Sequence, residues 1–378
     1  MDFAPQHEFR RLVARRGADY RLRHFSCWDQ FLCMAFAQLT YRESLRDIEA
    51  CLRAAPSLYH LGIRAPAVAR STLADANERR PWRLYADFAQ SLIATARVLY
   101  AGDSFGIELE STVYALDATI IDLCLSLCPW ARYRTRHGGI KLHTLLDLRG
   151  SIPSFIRITP ARISDISMLD QIAYEPGAFY VMDRAYVDFQ RLRHLHEQGA
   201  FFVTRSWRNT RVRLIAARPV PAGTAIVKDH LVAFAGVTSR YDFPATARRI
   251  CYRESLDELP LVFLTNHLQL PAQTIADLYR SRWRVELFFR WIKQHLRIKA
   301  FYGCSENAVK TQIWIAIAVY LLVAIAGKRL QLGLSMHSLL QVLSLTLFEK
   351  TPIRELVLRH QSHLAGDPRA NQLKLFDF

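Results

Sequence analysis

"TVYALDATIIDLCLSL", residues 112–127, is the stretch on which the fold class turns. It is rich in β-branched and apolar residues, reads as a long strand, and carries two acids, Asp117 and Asp122, with Asp117 the more interior. Two more short apolar runs follow, "KLHTLLDL" (141–148) and "IPSFIRIT" (152–159), with turn signals between them. Next come a helical pattern, "SDISMLDQIA", with Ser164 as its cap, and the buried-strand run "FYVMD" (179–183). A second helical pattern, "YVDFQRLRHLHEQG", ends at Gly199 before the strand "AFFVTR" (200–205). Three strands, helix, strand, helix, strand predict an α/β fold, a mixed sheet flanked by helices.

On either side of this region the pattern differs. Residues 206–260 are irregular, β-leaning and basic, and read as an insertion, after which "LPLVFLTN" (259–266) resumes the core pattern. The first hundred residues read as helices. One of them, "STLADANERR", has Ser71 as a plausible N-cap and Pro81 as its stop. Together with a short helix after Pro56, its Arg70, Asn77, Arg79 and Arg80 are laid out as in a helix-turn-helix reader, and a helical hairpin without any DNA role has the same pattern. The most apolar run, Ile313 to Gly327, is shorter than the roughly 20 residues a bilayer needs and reads as a buried helix. The opening residues have no basic segment followed by an apolar one, so no secretory signal is expected.

The chain has 378 residues, with 50 Lys+Arg against 34 Asp+Glu, a formal net charge of +16 that points to a polyanionic partner. Residues 1–110 hold 15 Arg and no Lys against 13 acids, so nearly all of the excess lies later in the chain. The 7 cysteines include no paired C-x-x-C sets, which fits a reducing compartment rather than a zinc site or a disulfide framework.

Asp117 inside a strand and Asp183 at a strand end are ionisable groups where a sheet has little use for them, although a strand-end Asp also serves as a turn cap. Asp122 has odd spacing from Asp117 and points to the opposite face. The third candidate acid lies in "YRSRWRVELFFRWIK" (279–293). Read as one helix, this stretch gathers Tyr279, Arg282, Glu286 and Lys293 on one face, with Arg290 and Arg297 beside them. Leu278, Val285, Phe289, Ile292 and Leu296 form the stripe that buries the helix. An Arg282–Glu286–Arg290 ion-pair ladder would explain Glu286 alone. Two sheet carboxylates and one helix carboxylate together can hold two divalent cations that act on a phosphodiester.

The spacing Tyr279, Arg282, Glu286, Lys293 resembles the Y-x2-R-x3-E-x6-K signature of the DDE transposases of bacterial insertion sequences, insertion-sequence-four group. "LDAT" around Asp117 and "MDRAY" around Asp183 resemble that family's two Asp motifs, with Ala185 where Gly is common. The resemblance covers about residues 110–330. It implies a ribonuclease-H-like core with a β-rich insertion, and a reaction in which the element is cut at its terminal inverted repeats and its 3′-hydroxyls are joined to target DNA. It further implies that Asp117, Asp183 and Glu286 bind two Mg²⁺, with Mn²⁺ able to substitute. Tyr279, Arg282 and Lys293 would contact phosphates of the transposon end, with Arg290, Arg297 and Arg184 as further DNA contacts.

Several relatives use an aromatic residue of the insertion to stack on a flipped base. Trp207 is the insertion's one tryptophan, although its place at the insertion's start gives core packing as its plainer role. The expected partners are double-stranded DNA and a second copy of the chain in a synaptic homodimer, with no membrane, in a bacterial cytoplasm at the nucleoid. The corresponding divisions are a helical N-terminal domain (1–105), a first core segment (106–205), the insertion (206–260), a second core segment (261–345) and a tail (346–378). A DNA-binding remnant that no longer cuts and a ribonuclease-H-like nuclease are the alternatives. The three acids weigh against the first, and the Tyr-Arg-Lys surround of Glu286 against the second.

Overall fold

The computed structural model describes residues 3–20, 22, 24–54, 62–63, 68–255, 259–295, 301–346, 353 and 355. The chain falls into two compact units, Met1–Leu99 with Ile292–Phe378, and Tyr100–Trp291.

It begins with α1 (Gln6–Arg16), α2 (Cys27–Leu39), α3 (Leu45–Ala54), α4 (Arg70–Arg79) and α5 (Trp82–Tyr100). A reciprocal capping box between Ser26 and Asp29 starts α2, whose residues are almost all buried. Phe9, Phe31 and Phe88, one each from α1, α2 and α5, meet with ring centroids 5.0–5.7 Å apart. Helix α4 departs from the sequence expectation in two ways. It starts at Arg70, with Ala69 rather than Ser71 at the N-cap. Asn77 and Arg80 are buried, with Asn77 accepting from Gln30 at 2.7 Å, so of the reader-like residues only Arg70 and Arg79 face solvent. The short helix expected after Pro56 falls outside the described residues.

The second unit holds β1 (Val113–Leu123), β2 (Arg132–Arg134), β3 (His137–Asp147), β4 (Ile152–Pro160), β5 (Phe179–Met182), α6 (Phe189–Glu197), β6 (Phe201–Arg205), β7 (Val212–Ala217), β8 (Ile226–Phe234), α7 (Ser239–Asp242), β9 (Ala247–Tyr252), β10 (Leu261–Thr265) and α8 (Ala272–Ser281). Helix α9 (Trp283–His295) follows directly. All ten strands form one mixed sheet, in the order β2-β3-β1-β5-β6-β10-β9-β8-β7 with β4 also on β3. Strands β1, β3 and β4 pair antiparallel, while β5 and β6 run parallel to β1. The β-leaning basic segment contributes β7, β8 and β9, which continue the same sheet beyond β10. Gly138 and Gly139 lie inside β3. A side chain at Gly138 would meet the Leu123 carbonyl at 2.9 Å, so glycine permits the close strand approach there.

Strand alternation divides the sheet into two faces. Tyr114, Leu116, Tyr180, Met182 and Phe202 join Leu192 and Leu195 of α6 in one core cluster. The segment Asp165–Gln171, expected as an α-helix capped by Ser164, is a 3-10 helix with no side-chain cap. On the opposite face the ring of Tyr279, from α8, packs on Phe263 of β10 at 4.8 Å. The stretch read as one helix is two. Arg282 accepts from Val285 N at 3.0 Å and donates its own N–H to Tyr279 O at 3.1 Å, so i→i+3 bonds tighten the chain between α8 and α9. The apolar stripe stands, with Leu278, Val285, Phe289 and Ile292 buried, while Leu296 lies outside the described residues.

The chain returns to the first unit with α10 (Glu306–Arg329) and α11 (Met336–Thr346). Helix α10 extends past the apolar run at both ends to 24 residues, with Ser305 capping the Ala308 N–H. That length would cross a bilayer, but 94% of its most apolar window is buried inside the protein, where it packs on α2, α4 and α11.

Candidate active site

Strands β1 and β5 pair from Val113↔Phe179 to Leu116↔Met182, which makes Asp117 and Asp183 the next neighbours across the parallel ladder. One residue past the Leu116 core position, each side chain turns to the face where Tyr279 lies. Asp183 occupies the N-cap of a 3-10 turn, Arg184–Tyr186, yet its carboxylate makes no cap bond. The turn is closed by backbone, Tyr186 N–H donating to Asp183 O at 3.0 Å. The free carboxylate instead accepts from the Tyr279 hydroxyl at 3.1 Å. Capping therefore does not account for Asp183.

Arg282 links the other two acids. Its Nη1 donates to Asp117 Oδ2 at 3.1 Å and its Nη2 to Glu286 Oε1 at 2.7 Å. One guanidinium fork, 165 residues from Asp117 and 4 from Glu286 in sequence, thus holds two carboxylates within about a nanometre of each other. The second oxygen of Asp117, Oδ1, accepts from the Ala118 N–H at 2.8 Å.

Burial pushes the Asp117 carboxyl up to about 6; the Ala118 N–H and Arg282 oppose this, and the charges of Glu286 and Asp183 add to it. The Tyr279 phenol is pushed up to about 12 by burial and by the Asp183 charge beside it. Burial pulls Arg282 down, but its hydrogen bond to Glu286 and the surrounding negative charge carry it above the usual arginine value. Tyr186 is 1% exposed and its phenol lies well above the ordinary range, through burial first and the nearby Asp117 charge next. The Tyr186 hydroxyl and Arg282 Nε are buried without hydrogen-bond partners.

The three acids, Tyr279 and Arg282 therefore form one constellation. Arg282 stands between two of the acids, and among the described residues no three His, Cys, Asp or Glu side chains converge closely enough to enclose an ion as they stand. The donor set nevertheless suits a hard divalent cation, because it is all carboxylate oxygen and carries more negative charge than its one guanidinium balances.

The remaining sequence candidates lie further out. Trp207 is 44% exposed rather than packed in the core, and the Arg184 guanidinium sits over its ring at 4.9 Å. Arg290 is exposed on α9, Lys293 is half-buried on the same helix, and Arg297 lies outside the described residues. Asp122 is exposed, with its odd spacing from Asp117 intact in β1. Sequence reading missed Arg205, whose charge reaches Tyr279. It ends β6 opposite Phe263, a register that no local pattern reveals.

The family model for the transposase DDE domain matches residues 108–322, more than half of the chain, and the chain belongs to that family. It is accordingly a DDE-type DNA transposase. A second family model, described as a domain of unknown function (DUF4372), matches residues 1–64. The chain is 33% identical to the putative transposase y4zB of Sinorhizobium fredii over 74% of this chain and 78% of that protein. It is 29% identical to the probable transposase for insertion sequence element IS5377 of Geobacillus stearothermophilus, over 55% of this chain and 54% of that one. A solved structure, the piggyBac transposase synaptic complex with hairpin DNA, is similar over 92% of this chain and 74% of that one at 10% identity and a TM-score of 0.49.

Proposed function

We propose that this transposase binds the terminal inverted repeats of an insertion sequence, cleaves the DNA at those ends and joins the 3′-hydroxyls to target DNA. The observation that carries the reading is the Arg282 fork between Asp117 and Glu286, with Asp183 next to Asp117 across the β1–β5 ladder. Family membership implies a divalent metal. Asp117, Asp183 and Glu286 would hold it, with Mg²⁺ the natural ion and Mn²⁺ a substitute. When bound, two such ions activate the attacking oxygen and stabilise the leaving oxygen of a phosphodiester.

The protein's own groups position the reacting strand. Tyr279 fixes the rotamer of Asp183 through its hydroxyl. Arg282, Arg290, Lys293 and Arg297 supply cationic contacts to the phosphates of the transposon end. Trp207, exposed and adjacent to Arg184, offers a ring on which an unpaired base can stack, worth about 1 to 3 kcal/mol. The protein works as a homodimer pairing two element ends at the nucleoid of a bacterial cytoplasm. Arg70 and Arg79 of α4 are the exposed residues through which the N-terminal region would touch DNA.

The test is cleavage of labelled terminal-repeat DNA with Mg²⁺. Asp117→Ala, Asp183→Ala and Glu286→Ala should each lose about a thousandfold or more in rate while keeping the wild-type circular dichroism. Cleavage by any of them at the wild-type rate rejects its assignment, and binding without cleavage by the wild type itself favours the remnant.

A further inference from the structure

The Arg282 fork that gathers two of the acids also engages the oxygens they would need. Asp117 Oδ2 and Glu286 Oε1 both accept from it, and Asp117 Oδ1 is engaged by the Ala118 N–H. A guanidinium keeps its proton at any working pH, so its charge can leave this position only if the side chain moves. A guanidinium and a divalent cation repel each other and compete for the same lone pairs.

Several features leave Arg282 free to exchange partners. Its side chain is 16% exposed, and those of Asp117 and Glu286 are 23% and 32% exposed, so the fork is open to solvent on one side. It stands at the junction of α8 and α9 rather than in the middle of a continuous helix. Its Nε has no acceptor, so one of the donors that a phosphate would satisfy is unmet. The planar fork matches a phosphate bidentately as well as it matches two carboxylates.

We propose that Arg282 is an exchangeable internal counter-ion: it neutralises Asp117 and Glu286 until a DNA phosphate draws it away, which opens both carboxylates to the metal. Substrate and metal then load cooperatively, and the unloaded protein is protected from metal-dependent nicking. This inference rests on the assignment of the three acids made above. Linkage makes it quantitative, because the factor by which DNA tightens the metal must equal the factor by which the metal tightens DNA.

The experiment measures Mn²⁺ binding by the paramagnetic resonance of the free ion, with and without a short DNA duplex, in the full chain. Without DNA, Arg282→Gln should bind Mn²⁺ about tenfold tighter than wild type. The duplex should then tighten Mn²⁺ about tenfold in wild type and by less than about twofold in Arg282→Gln, a coupling of ordinary size. Arg282→Lys, which keeps the charge, should retain the weak DNA-free binding of wild type. An Arg282→Gln protein that binds no tighter, a duplex effect equal in both proteins, or Gln and Lys variants that tighten alike would each overturn the exchange. Asp117→Asn and Glu286→Gln separate the two levels of the argument. Their loss of Mn²⁺ binding alongside an unresponsive Arg282→Gln sinks the exchange alone, whereas Mn²⁺ binding unchanged in both removes the metal assignment beneath it.

Discussion

Arg80 is buried and Arg282 half-buried, and what surrounds them separates a structural cluster from a functional one. Arg80, at the end of α4, donates to the Ser26 carbonyl at 2.7 Å, to Gln30 Oε1 at 3.1 Å and to the Phe25 carbonyl, and its guanidinium lies over the Phe25 ring at 5.0 Å. Gln30 is in turn held by Tyr85 at 2.7 Å and by Asn77. These acceptors of Arg80 are all neutral and part of a closed network inside the helical unit. Arg282 meets two carboxylates, leaves its own Nε unmet, and has the unbonded hydroxyl of Tyr186 within electrostatic reach. Unbalanced charge beside an unmet donor marks Arg282 as a group able to change partners, and the Arg80 network has no such charge.

The comparison can be tested, beginning with the largest stability effect. Arg80→Ala leaves several buried acceptors unpaired and should cost about 3 kcal/mol in urea unfolding, while the folded fraction cleaves DNA at the wild-type rate. Arg282→Ala should cost less than about 1 kcal/mol, since its partners are partly solvated. A large loss at Arg282 and a small one at Arg80 would invert the distinction.

His143 gives a pH-dependent effect of intermediate size. It is fully buried against Thr159 at 2.9 Å, and burial pulls it down to about 4; Asp165 opposes this shift, while Lys141 and Arg157 add to it. The folded protein holds it neutral where the unfolded chain takes up a proton. Its contribution is therefore fully present above about pH 6.5 and is lost as pH falls towards 4, at on the order of 1 kcal/mol per pH unit. Asp117, raised by burial, contributes with the opposite sign. The informative quantity is thus the difference between wild type and His143→Gln, which should shrink on acidification through that window. A difference that stays flat from pH 7 to 4 would contradict it.

Smaller still, Arg282→Ala should lower the salt slope of end binding by about one unit, the signature of one lost phosphate contact. Asp122→Ala should change neither cleavage nor stability measurably, because the residue is exposed and its spacing turns it to the other face of β1. Loss of activity there would break the face assignment on which the Asp117 argument depends.

Much of the sheet was legible because strand runs and buried acids are local signals. Asp117 and Asp183 stand out as acids inside and at the end of apolar runs, and the Leu278–Ile292 stripe marked the buried side of the helices. What escaped depends on partners distant in sequence. Asn77 and Arg80 look like a solvated polar face until Gln30 and the Phe25 and Ser26 carbonyls are brought to them. The basic segment's strands join the main sheet through pairings such as Leu264↔Arg249, which no periodicity encodes. The step between α8 and α9 falls at "RSRW", with neither Pro nor Gly to mark it. Trp207's place at the start of the insertion gave core packing as its plainer role, and here it is left half in solvent under Arg184.

The central claim is that Asp117, Asp183 and Glu286 serve the same metal ions, and changing one ligand's chemistry tests it most directly. Asp183→Cys replaces a hard oxygen with a softer sulfur that Mn²⁺ accepts more readily than Mg²⁺ does. Cleavage of terminal-repeat DNA by this variant should vanish in Mg²⁺ and return in measurable part in Mn²⁺. Wild-type cleavage by Asp183→Cys in Mg²⁺ would show that this carboxylate holds no ion, and the claim would fail.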